Sequence, residues 1–463
     1  MKIPGWLCLS FLLTASLCPA QQAHEWLTTS DRSAVFAEQT PPQPFTEAAP
    51  TQPVIAVNDM QQYQSMEGFG FALTGGSAQL LMRMSPTARQ ALLEELFAPD
   101  GDGIHVSYLR VSIGSSDMND HPYTYDDVPP GESDPQLAKF SLDTDRADVI
   151  PALKAILALD PHIPILGSPW SAPAWMKTND ALKGGELKPE NYSIYANYFV
   201  KYIQGMAAEG IPIHSITVQN EPLNPKNTPS MVMFASEEDT FIAKDLGPAF
   251  AKAGIKTGIQ LYDHNADVPS YPMSILADPE ANPYVEGSAF HLYGGDASVL
   301  TSVHDAYPRK DLFLTEQSVG GRPHPGTMSI DEPVDRVMIG ATRNWTRNVL
   351  LWNLAADPHA GPHTNDGGCT GCWGALTLDG DQVRRNEAYY VMAHFSKFVP
   401  PGSLRVGSNT LEQLDNVAFL TPHGKVVLVV SNTGNFDKHF DVRYHGRTLE
   451  ASLPPESVGT WVW

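Results

Sequence analysis

Residues 214–222 read HSITVQNEP, in which isoleucine and valine alternate with polar residues. This alternation predicts a short β-strand. The strand would end on Asn220 and Glu221, where a turn residue is more usual, and the proline after them would stop it there. Helical patterns flank it, NYSIYANYFVKYIQGMAAEG (191–210) before and SEEDTFIAKDLGPAFAKAG (236–254) after. The segment therefore belongs to a strand–helix alternation and presents a charged side chain at its end.

The same alternation runs along most of the chain. Strand-like apolar runs occur at residues 68–74, 106–113, 163–168, 214–220, 257–263, 288–293, 311–316 and 348–355. Helical patterns lie between them and after the last of them. Eight strand–helix units predict a (β/α)₈ barrel. A doubly wound sheet is the competing architecture, but no glycine-rich dinucleotide fingerprint follows the first strand.

The pattern changes past Pro400, where short apolar–polar alternations separated by turn residues predict an all-β module. The strand-like run VIAV (54–57), before the barrel, is expected to pair with it. The fold class is therefore α/β, a barrel with a small β-sandwich built from both chain ends. The expected regions are a signal peptide (1–20), an N-terminal segment that contributes to the β-sandwich (21–64), the barrel (65–399) and a C-terminal β-sandwich (400–463).

The composition excludes some classes of partner. The chain has 463 residues, of which 42% are hydrophobic, so it can bury a large core. Its 30 basic and 52 acidic residues give a net charge of −22. This charge argues against nucleic acid and anionic membranes as partners, because both attract clustered lysine and arginine. A neutral ligand such as a sugar is unaffected, and the oligomeric state stays open.

The N-terminus reads MKIPGWLCLSFLLTASLCPAQQ and combines one lysine, an apolar run and a small residue at Ala20. This pattern predicts a secretory signal peptide cleaved after Ala20. A transmembrane anchor is the alternative, but the apolar run is shorter than the roughly 20 residues that span a bilayer. Lipid attachment at Cys18 is a further alternative, although Leu17 is a poor residue before it. We expect a secreted or periplasmic protein without membrane insertion after cleavage.

Two cysteines remain after cleavage, Cys369 and Cys372 in the loop GGCTGC. A zinc site would need a second pair, and a redox CxxC motif would need a helix start after a strand. In an exported protein we expect a structural disulfide. The nearby His359 and His363 lack regular ligand spacing on a rigid element, so we expect no metal site.

Two glutamates end predicted strands, Glu221 the fourth and Glu316 the seventh. A closed barrel would bring both strand ends to one mouth, where the chemistry of such barrels lies. Two carboxyl groups across a pocket are what glycoside hydrolysis requires, one as proton donor and one as nucleophile. The alternative is structural, because strand-end acids often cap helices or bind loop amides.

Tryptophans surround the same mouth. The loop SPWSAPAWMKTN (168–179) carries Trp170 and Trp175, Trp352 lies on the eighth strand, and Trp373 lies in the cysteine loop. Sugar rings stack on aromatic faces, so this composition favours a carbohydrate ligand. Packing between loop and barrel is the alternative for Trp175 and Trp373.

Other polar residues lie at the strand ends. Arg110 and Asp117 flank the end of the second strand, and His291 and Tyr293 lie on the sixth. Arg110 could orient a carboxylate or form a structural ion pair. We expect His291 and Tyr293 to reach the pocket, although a lone strand histidine is more often an interior residue.

The chain resembles glycoside hydrolase family 30, the family of lysosomal acid β-glucosidase (glucosylceramidase) and of bacterial and fungal β-1,6-glucanases. The resemblance covers essentially the whole barrel, in family order. It rests on GFGFALTGGSA, YLRVSIGSSD, LGSPWSAPAWMKTN, ITVQNEP, FHLY, LFLTEQSVG and WNLAADPHAGP.

The resemblance implies that Glu221 is the acid/base and Glu316 the nucleophile. It also implies that Asn220 bonds the sugar 2-hydroxyl, a contact that strengthens in the transition state. No metal or organic cofactor is expected, because two carboxylates supply nucleophile, acid and base.

The resemblance further implies substrate-binding positions. Asp117 and Trp170 match those that grip the outer hydroxyls of a terminal glucose. Arg110 and Tyr293 would hold the nucleophile ionised and aimed, and Trp352 would form the wall or floor of the pocket.

The implied activity is a retaining hydrolysis of β-D-glucosidic bonds by double displacement. The loops PLNPKNTPSMVMF and TNDGGCTGCWGALTLDG look closer to bacterial β-1,6-glucanase-type members than to the lysosomal enzyme. We therefore expect β-1,6-glucan or its oligosaccharides as substrate. A glucosylceramidase or broad β-glucosidase is the alternative, and a non-catalytic carbohydrate-binding barrel is a remote one. A β-xylosidase is disfavoured, because Asp117 is expected to hold a sugar that carries a hydroxymethyl group, which xylose lacks.

Overall fold

The computed structural model describes residues 21–322 and 326–463. The predicted signal peptide (1–20), with Cys18, lies outside the described residues.

The described chain begins with three strands, β1 (Gln22–Thr29), β2 (Ala37–Pro44) and β3 (Val54–Ser65). The sequence indicated only the start of β3. β1 and β2 were missed, and the reason is local: β2 reads AEQTPPQP and looks like a proline-rich linker. Prolines are tolerated there because β2 is the edge of its sheet, where amide donors are not all needed.

Eight parallel strands then form a closed barrel, as predicted. The barrel closes where the last strand pairs with the first. The strands are β4 (Gly68–Ala72), β5 (Tyr108–Ser112), β6 (Ile165–Ser168), β7 (Ser215–Thr217), β8 (Gly258–Asn265), β9 (Val285–His291), β10 (Asp311–Glu316) and β11 (Thr346–Leu351).

Helices cover the outside of the barrel. They are α1 (Gly75–Arg83), α2 (Pro86–Phe97), α3 (Val149–Leu159), α4 (Tyr192–Ala208), α5 (Ala235–Phe241), α6 (Gly247–Ala253), α7 (Ser270–Leu276), α8 (Ser298–Ala306), α9 (Asp331–Pro333), α10 (Gly340–Arg343) and α11 (Glu387–Ser396). The single helix predicted over 236–254 is divided by a π-helical turn at Ile242–Leu246.

The fourth barrel strand is shorter than the sequence predicts. β7 ends at Thr217, and the residues up to Glu221 form irregular backbone. Glu221 adopts a left-handed conformation, with φ of 45°. Its amide donates to the carbonyl of Asp263 on the next strand, at 3.0 Å. The strand end is therefore bent towards β8 rather than continuing as a ladder.

After the barrel the chain forms a hairpin-like sheet of β12 (Ala355–Ala356), β13 (Leu376–Asp379) and β14 (Gln382–Arg385). The β-sandwich follows, with the C-terminal strands β15 (Leu404–Ser408), β16 (Leu414–Leu420), β17 (Val426–Asn432), β18 (Lys438–Tyr444), β19 (Arg447–Leu453) and β20 (Ser457–Val462). Together with β1–β3 they form a nine-stranded sheet in the order β19-β18-β3-β15-β16-β17-β20-β1-β2. Its own core includes Trp461, Phe440 and Leu428.

Both chain ends therefore build one module, as the fold-class prediction stated. Among the helices of the described residues, none has the length and apolar character that a bilayer span needs.

A buried histidine joins the barrel to the β-sandwich. His394 of α11 lies with Nδ1 2.8 Å from Thr460 Oγ1 of β20, and with Nε2 2.8 Å from Thr28 Oγ1 of β1. Burial lowers the pKa of His394 to about 3, so the ring is neutral around neutral pH. One side chain thus connects the last barrel helix to the strands from both chain ends.

Replacing His394 with leucine should lower the free energy of unfolding by about 2–3 kcal/mol, because two buried hydroxyls each lose one hydrogen bond. Urea unfolding at neutral pH measures this change. His439→Leu, on the exposed face of β18, is the matched control and should change little. Equal stability of the two variants would contradict the connecting role.

The same substitution should change the pH dependence of stability. Because the pKa of His394 is depressed from 6.5 to about 3, the unfolded chain binds a proton that the folded chain does not within this window. Wild-type stability should therefore fall as the pH is lowered through it. His394→Leu should lose that part of the slope in unfolding measurements repeated down to about pH 4, and an unchanged slope would contradict the assignment.

Candidate active site

A buried aspartate, Asp263, lies at the centre of the barrel mouth. Pairing of β8 with β9 shifts register between Tyr262 and His264, which marks a β-bulge. Tyr262 and Asp263 both adopt left-handed conformations, with φ of 74° and 51°. Strained backbone of this kind persists where the surroundings fix it, and it is common at functional sites. Here the bulge turns the Asp263 carboxylate into the barrel.

The Asp263 carboxylate accepts hydrogen bonds from side chains of five other barrel strands. The side chain is fully buried. Burial alone would raise its pKa, but the charges of Arg110 and His291 hold the pKa well below its usual range. The donors are Arg110 Nη2 (2.7 Å), Thr217 Oγ1 (2.8 Å), Ser168 Oγ (3.1 Å), His291 Nε2 (3.0 Å) and Thr315 Oγ1 (2.6 Å).

Arg110, also fully buried, distributes its donors over the same mouth. Nη2 donates to Asp263 and, at 2.7 Å, to Asn220 Oδ1. Nη1 donates to Glu316 Oε2 at 2.6 Å. The guanidinium carbon also lies 4.9 Å from the ring centre of Trp170. Arg110 therefore fixes the positions of two carboxylates and one amide at once.

Glu316 is the last residue of β10 and points into the mouth. Its Oε2 accepts from Arg110, and its Oε1 accepts from the Tyr293 hydroxyl at 3.0 Å. The Tyr293 hydroxyl in turn accepts from the Ser318 amide at 3.1 Å. Both oxygens of Glu316 are thus held from two sides.

Glu221 lies opposite, after β7. Its Oε2 accepts from Asn224 Nδ2 at 2.7 Å. Its Oε1 lies 3.3 Å from His291 Nδ1 and 3.9 Å from His264 Nδ1. The backbone strain and the bond to Asp263 described above fix the main chain beneath it.

His291 brings the two glutamates into one frame. Its Nδ1 is 3.3 Å from Glu221 Oε1 and 3.9 Å from Glu316 Oε1. The two carboxylate oxygens therefore lie no further apart than the sum of these distances, which one sugar ring can span. Nε2 of the same ring faces Asp263, so neither ring nitrogen is left for a ligand.

The electrostatics of these groups are coupled through His291. Burial alone would raise the pKa of Glu221, but the hydrogen bond and charge of His291 outweigh it and lower the pKa to about 2. At Glu316 burial prevails over His291 and Arg110, so its pKa is raised. Burial alone would lower the pKa of His291, but Glu316, Asp263 and Glu221 raise it to about 9. These shifts favour a proton on His291 over one on Glu221.

Trp170 and Trp352 form one wall of the pocket, with ring centroids 5.5 Å apart. Met118 and the disulfide-bonded Cys369 and Cys372 pack against them. The disulfide has a Cα–Cα distance of 5.5 Å. The cysteine loop is thus part of the pocket wall.

Asp117 lies at the same wall. Its Oδ1 is buried and has no hydrogen-bond partner within residues 21–322 and 326–463. Burial, and then the charges of Glu316 and Glu221, raise the pKa of Asp117 to about 8. A neutral carboxyl group can donate as well as accept, which suits a sugar hydroxyl.

Glu221, His264 and His291 present ligand atoms within 4.8 Å of one another, so this group could accommodate a metal ion. Glu221 and His291 already bond each other, and His291 bonds Asp263. Glu221 and His291 therefore form a hydrogen-bonded pair, with His264 Nδ1 3.9 Å from Glu221 Oε1, and the expectation of no metal remains a prediction. His359 and His363 lie in the cysteine-loop region instead, where His363 Nδ1 faces the Thr364 carbonyl.

The structure brings together at the mouth all the residues that the sequence singled out for binding and chemistry: Glu221, Glu316, Asp117, Trp170, Asn220, Tyr293, Trp352, Arg110 and His291. It places His291 beneath the carboxylates, although the sequence analysis grouped it with the residues that touch substrate. Asp263 and His264 were missed. The polar run Asp-His-Asn at the end of LYDHN was the available signal.

The comparisons with known proteins agree with this geometry. A model described as the glycosyl hydrolase family 30 TIM-barrel domain matches residues 66–399, and the family 30 beta sandwich domain matches residues 402–461.

The chain belongs to glycoside hydrolase family 30.

As a family 30 member, the protein is a glycoside hydrolase, and its relatives differ in substrate. It is 36% identical over 425 residues to an endo-1,6-β-D-glucanase of Aspergillus fumigatus, covering 86% of this chain and 85% of that protein. It is 30% identical over 446 residues to the mouse (Mus musculus) lysosomal acid glucosylceramidase, covering 89% and 83%. The solved structure of the endo-β1,6-glucanase BT3312 superposes with a TM-score of 0.88 at 34% identity, covering 96% of this chain and 99% of that one.

Arg110→Met should destabilise this family 30 enzyme by about 3–5 kcal/mol, because it leaves two buried carboxylates without their cation. Arg110→Lys keeps the positive charge but lacks the planar guanidinium. Its unfolding temperature should therefore lie between those of wild type and Arg110→Met. Thermal unfolding measures the order. A methionine variant as stable as wild type would contradict the arrangement around Asp263.

Proposed function

We propose that the protein hydrolyses β-D-glucosidic bonds with retention of configuration, with Glu316 as nucleophile and Glu221 as acid/base. The observation that supports this most strongly is the placement of both carboxylates around His291 Nδ1, at 3.3 and 3.9 Å. The separation that this geometry allows includes the roughly 5–5.5 Å of retaining enzymes. Separations shorter than those of inverting enzymes leave no room for a water between the second carboxylate, here Glu316, and the sugar.

In the first half-reaction Glu316 attacks the anomeric carbon, while Glu221 gives a proton to the departing oxygen. Arg110 and Tyr293 fix both Glu316 oxygens, so the nucleophile pays little orientational entropy on attack. As the bond to the sugar forms, the negative charge of Glu316 disappears. The products are a glycosyl-enzyme ester and a free hydroxyl on the leaving group.

In the second half-reaction Glu221 is a carboxylate and takes a proton from water, which attacks the anomeric carbon of the glycosyl-enzyme. Glu316 leaves as a carboxylate, and the second inversion restores the original configuration. Arg110 and Tyr293 stabilise the returning charge through the same contacts to Glu316 that the structure shows.

The glucose unit would be held by the pocket wall. The Arg110 contact fixes Asn220 Oδ1, which leaves the amide nitrogen of Asn220 as the donor for the 2-hydroxyl. Asp117 would bind outer hydroxyls through its unbonded oxygen. Trp170 and Trp352 would stack on the sugar face.

We further propose β-1,6-linked glucan or its oligosaccharides as the substrate. The two relatives described as β-1,6-glucanases share 36% and 34% identity with this chain, against 30% for the lysosomal glucosylceramidase. A glucosylceramidase or broad β-glucosidase is the competing substrate assignment, and both would use the same two glutamates.

Export is part of the proposal and rests on the N-terminal sequence. Mass spectrometry of the mature protein from its native host should find Gln21 as the first residue. A mature chain that keeps residues 1–20 would contradict signal cleavage.

Glu316→Gln should lower kcat on a β-glucoside by on the order of 10⁴-fold or more, because the covalent step is lost. A fluorinated glucoside with an activated leaving group should add one sugar mass to the wild-type peptide that contains Glu316. Glu221→Gln is the matched control: it should still be labelled, because an activated leaving group needs no proton. A Glu316→Gln variant with near wild-type activity would favour a binding protein instead.

Linkage preference is tested by product analysis on a panel of β-1,3-, β-1,4- and β-1,6-linked glucans beside glucosylceramide. We expect the β-1,6-linked glucan to give the highest kcat/KM, with shorter β-1,6-linked oligosaccharides as products. Faster hydrolysis of glucosylceramide than of any glucan would contradict the substrate assignment while leaving the catalytic roles intact.

A further inference from the structure

Three side chains form a hydrogen-bonded line across the floor of the pocket. Asp263 Oδ1 faces His291 Nε2 at 3.0 Å, and His291 Nδ1 faces Glu221 Oε1 at 3.3 Å. The His291 and Asp263 side chains are inaccessible to solvent, and the Glu221 side chain is 10% exposed. The open end of the line is therefore the carboxylate that would meet the substrate.

We propose that His291 holds the proton that Glu221 delivers to the leaving group, and that Asp263 fixes His291 for this transfer. Both are positioning residues that act through Glu221, not residues that bind the sugar. This inference rests on the proposed function, because it needs Glu221 to be the acid.

The surroundings of His291 support a proton at this place. Asp263 comes from β8, Glu221 follows β7 and Glu316 ends β10, so three carboxylates from three elements face one imidazole. Arg110 on β5 opposes them through its bonds to Asp263 and Glu316. Two further titratable side chains of the described residues lie near it: His264, with its ring centroid 6.4 Å away, and Tyr293, 6.1 Å away.

The hydrogen-bonded line explains how Glu221 can act as an acid. The pKa of Glu221 is about 2, too low for a general acid, whereas that of His291 is about 9. The largest charge that raises the pKa of His291 is Glu316. When Glu316 bonds to the sugar its charge is lost, and the hold on the His291 proton weakens at the moment when the leaving group needs it.

The proton balance closes over one turnover. In the first half-reaction the His291 Nδ1–H bond breaks, an O–H bond forms on Glu221, and that proton passes to the leaving oxygen. His291 becomes neutral and keeps its Nε2–H bonded to Asp263. In the second half-reaction Glu221 takes a proton from the attacking water, and as Glu316 regains its charge this proton returns to His291 Nδ1.

The leaving group of the substrate separates this role from a structural one. Cleavage of a dinitrophenyl β-glucoside needs no proton from the enzyme, because the dinitrophenolate is a good leaving group. Cleavage of gentiobiose does need one, because its leaving group is a sugar alcohol. The measurement is kcat/KM, which reports the glycosylation step, for each substrate. Without His291 burial would raise the pKa of Glu221, so the comparison is made on the basic side of neutrality, below the His291 pKa of about 9. There we expect His291→Gln to lose about 100-fold or more in kcat/KM on gentiobiose and less than about 10-fold on the dinitrophenyl glucoside.

The choice of variant separates proton delivery from hydrogen bonding alone. Glutamine places an amide nitrogen near the position of Nε2 and can keep the contact with Asp263. Asparagine places one near Nδ1 and can still donate to Glu221, but it cannot release a proton. We expect His291→Asn to show the same dependence on leaving group as His291→Gln. Near wild-type activity of His291→Asn on gentiobiose would overturn proton delivery.

Two controls keep the result interpretable. Tyr293→Phe removes a contact to Glu316 but none to Glu221, so kcat/KM should fall by the same factor on both substrates. Glu221→Gln should show the leaving-group dependence in full. If Glu221→Gln loses equally on both substrates, the proposed acid is wrong; if Glu221→Gln shows the dependence and the His291 variants do not, only the present inference fails.

Asp263→Asn tests the other end of the line. It removes one of the charges that hold the proton on His291, so the basic limb of the kcat/KM profile on gentiobiose should move to lower pH by about one unit or more. A basic limb at the wild-type position in a folded Asp263→Asn variant would overturn the role of Asp263.

Discussion

The barrel mouth depends on one buried carboxylate. Asp263 accepts hydrogen bonds from side chains on β5, β6, β7, β9 and β10, so six of the eight barrel strands meet at its two oxygens. A buried ion pair adds little stability by itself, but losing one partner is expensive. Asp263 therefore contributes more to the positions of its neighbours than to stability. The bulge and left-handed backbone in β8 orient its carboxylate.

Two side chains connect Asp263 to the residues that would meet the substrate. Through Arg110 it reaches Glu316 and Asn220, and through His291 it reaches Glu221. The same frame creates an excess of negative charge that is relieved by a proton on His291. Positions and protonation states are thus set by one set of contacts, and a change in the charge of Glu316 is felt at Glu221 through a single imidazole.

Much of this could be predicted from the sequence, and the failures have physical causes. The strand–helix count predicts the barrel, because buried parallel strands read as apolar runs. Glu221 and Glu316 stand out because they end strands. Asp263 ends a predicted strand too (257–263), but the bulge that turns its carboxylate into the barrel leaves no trace in an apolar–polar pattern, so its central position was missed. The N-terminal strands were missed for a related reason: the prolines of β2 are acceptable only because it is an edge strand, which the sequence does not tell.

The central claim is that Glu221 and Glu316 act in turn on opposite sides of one anomeric carbon. The most direct test is the anomeric configuration of the first-formed product. Proton NMR records it during the first minutes of hydrolysis, before mutarotation. The account predicts that the β-anomer of the new reducing end appears first and that the α-anomer grows in later. Initial release of the α-anomer would mean a single displacement by water, which would contradict the roles given to both glutamates.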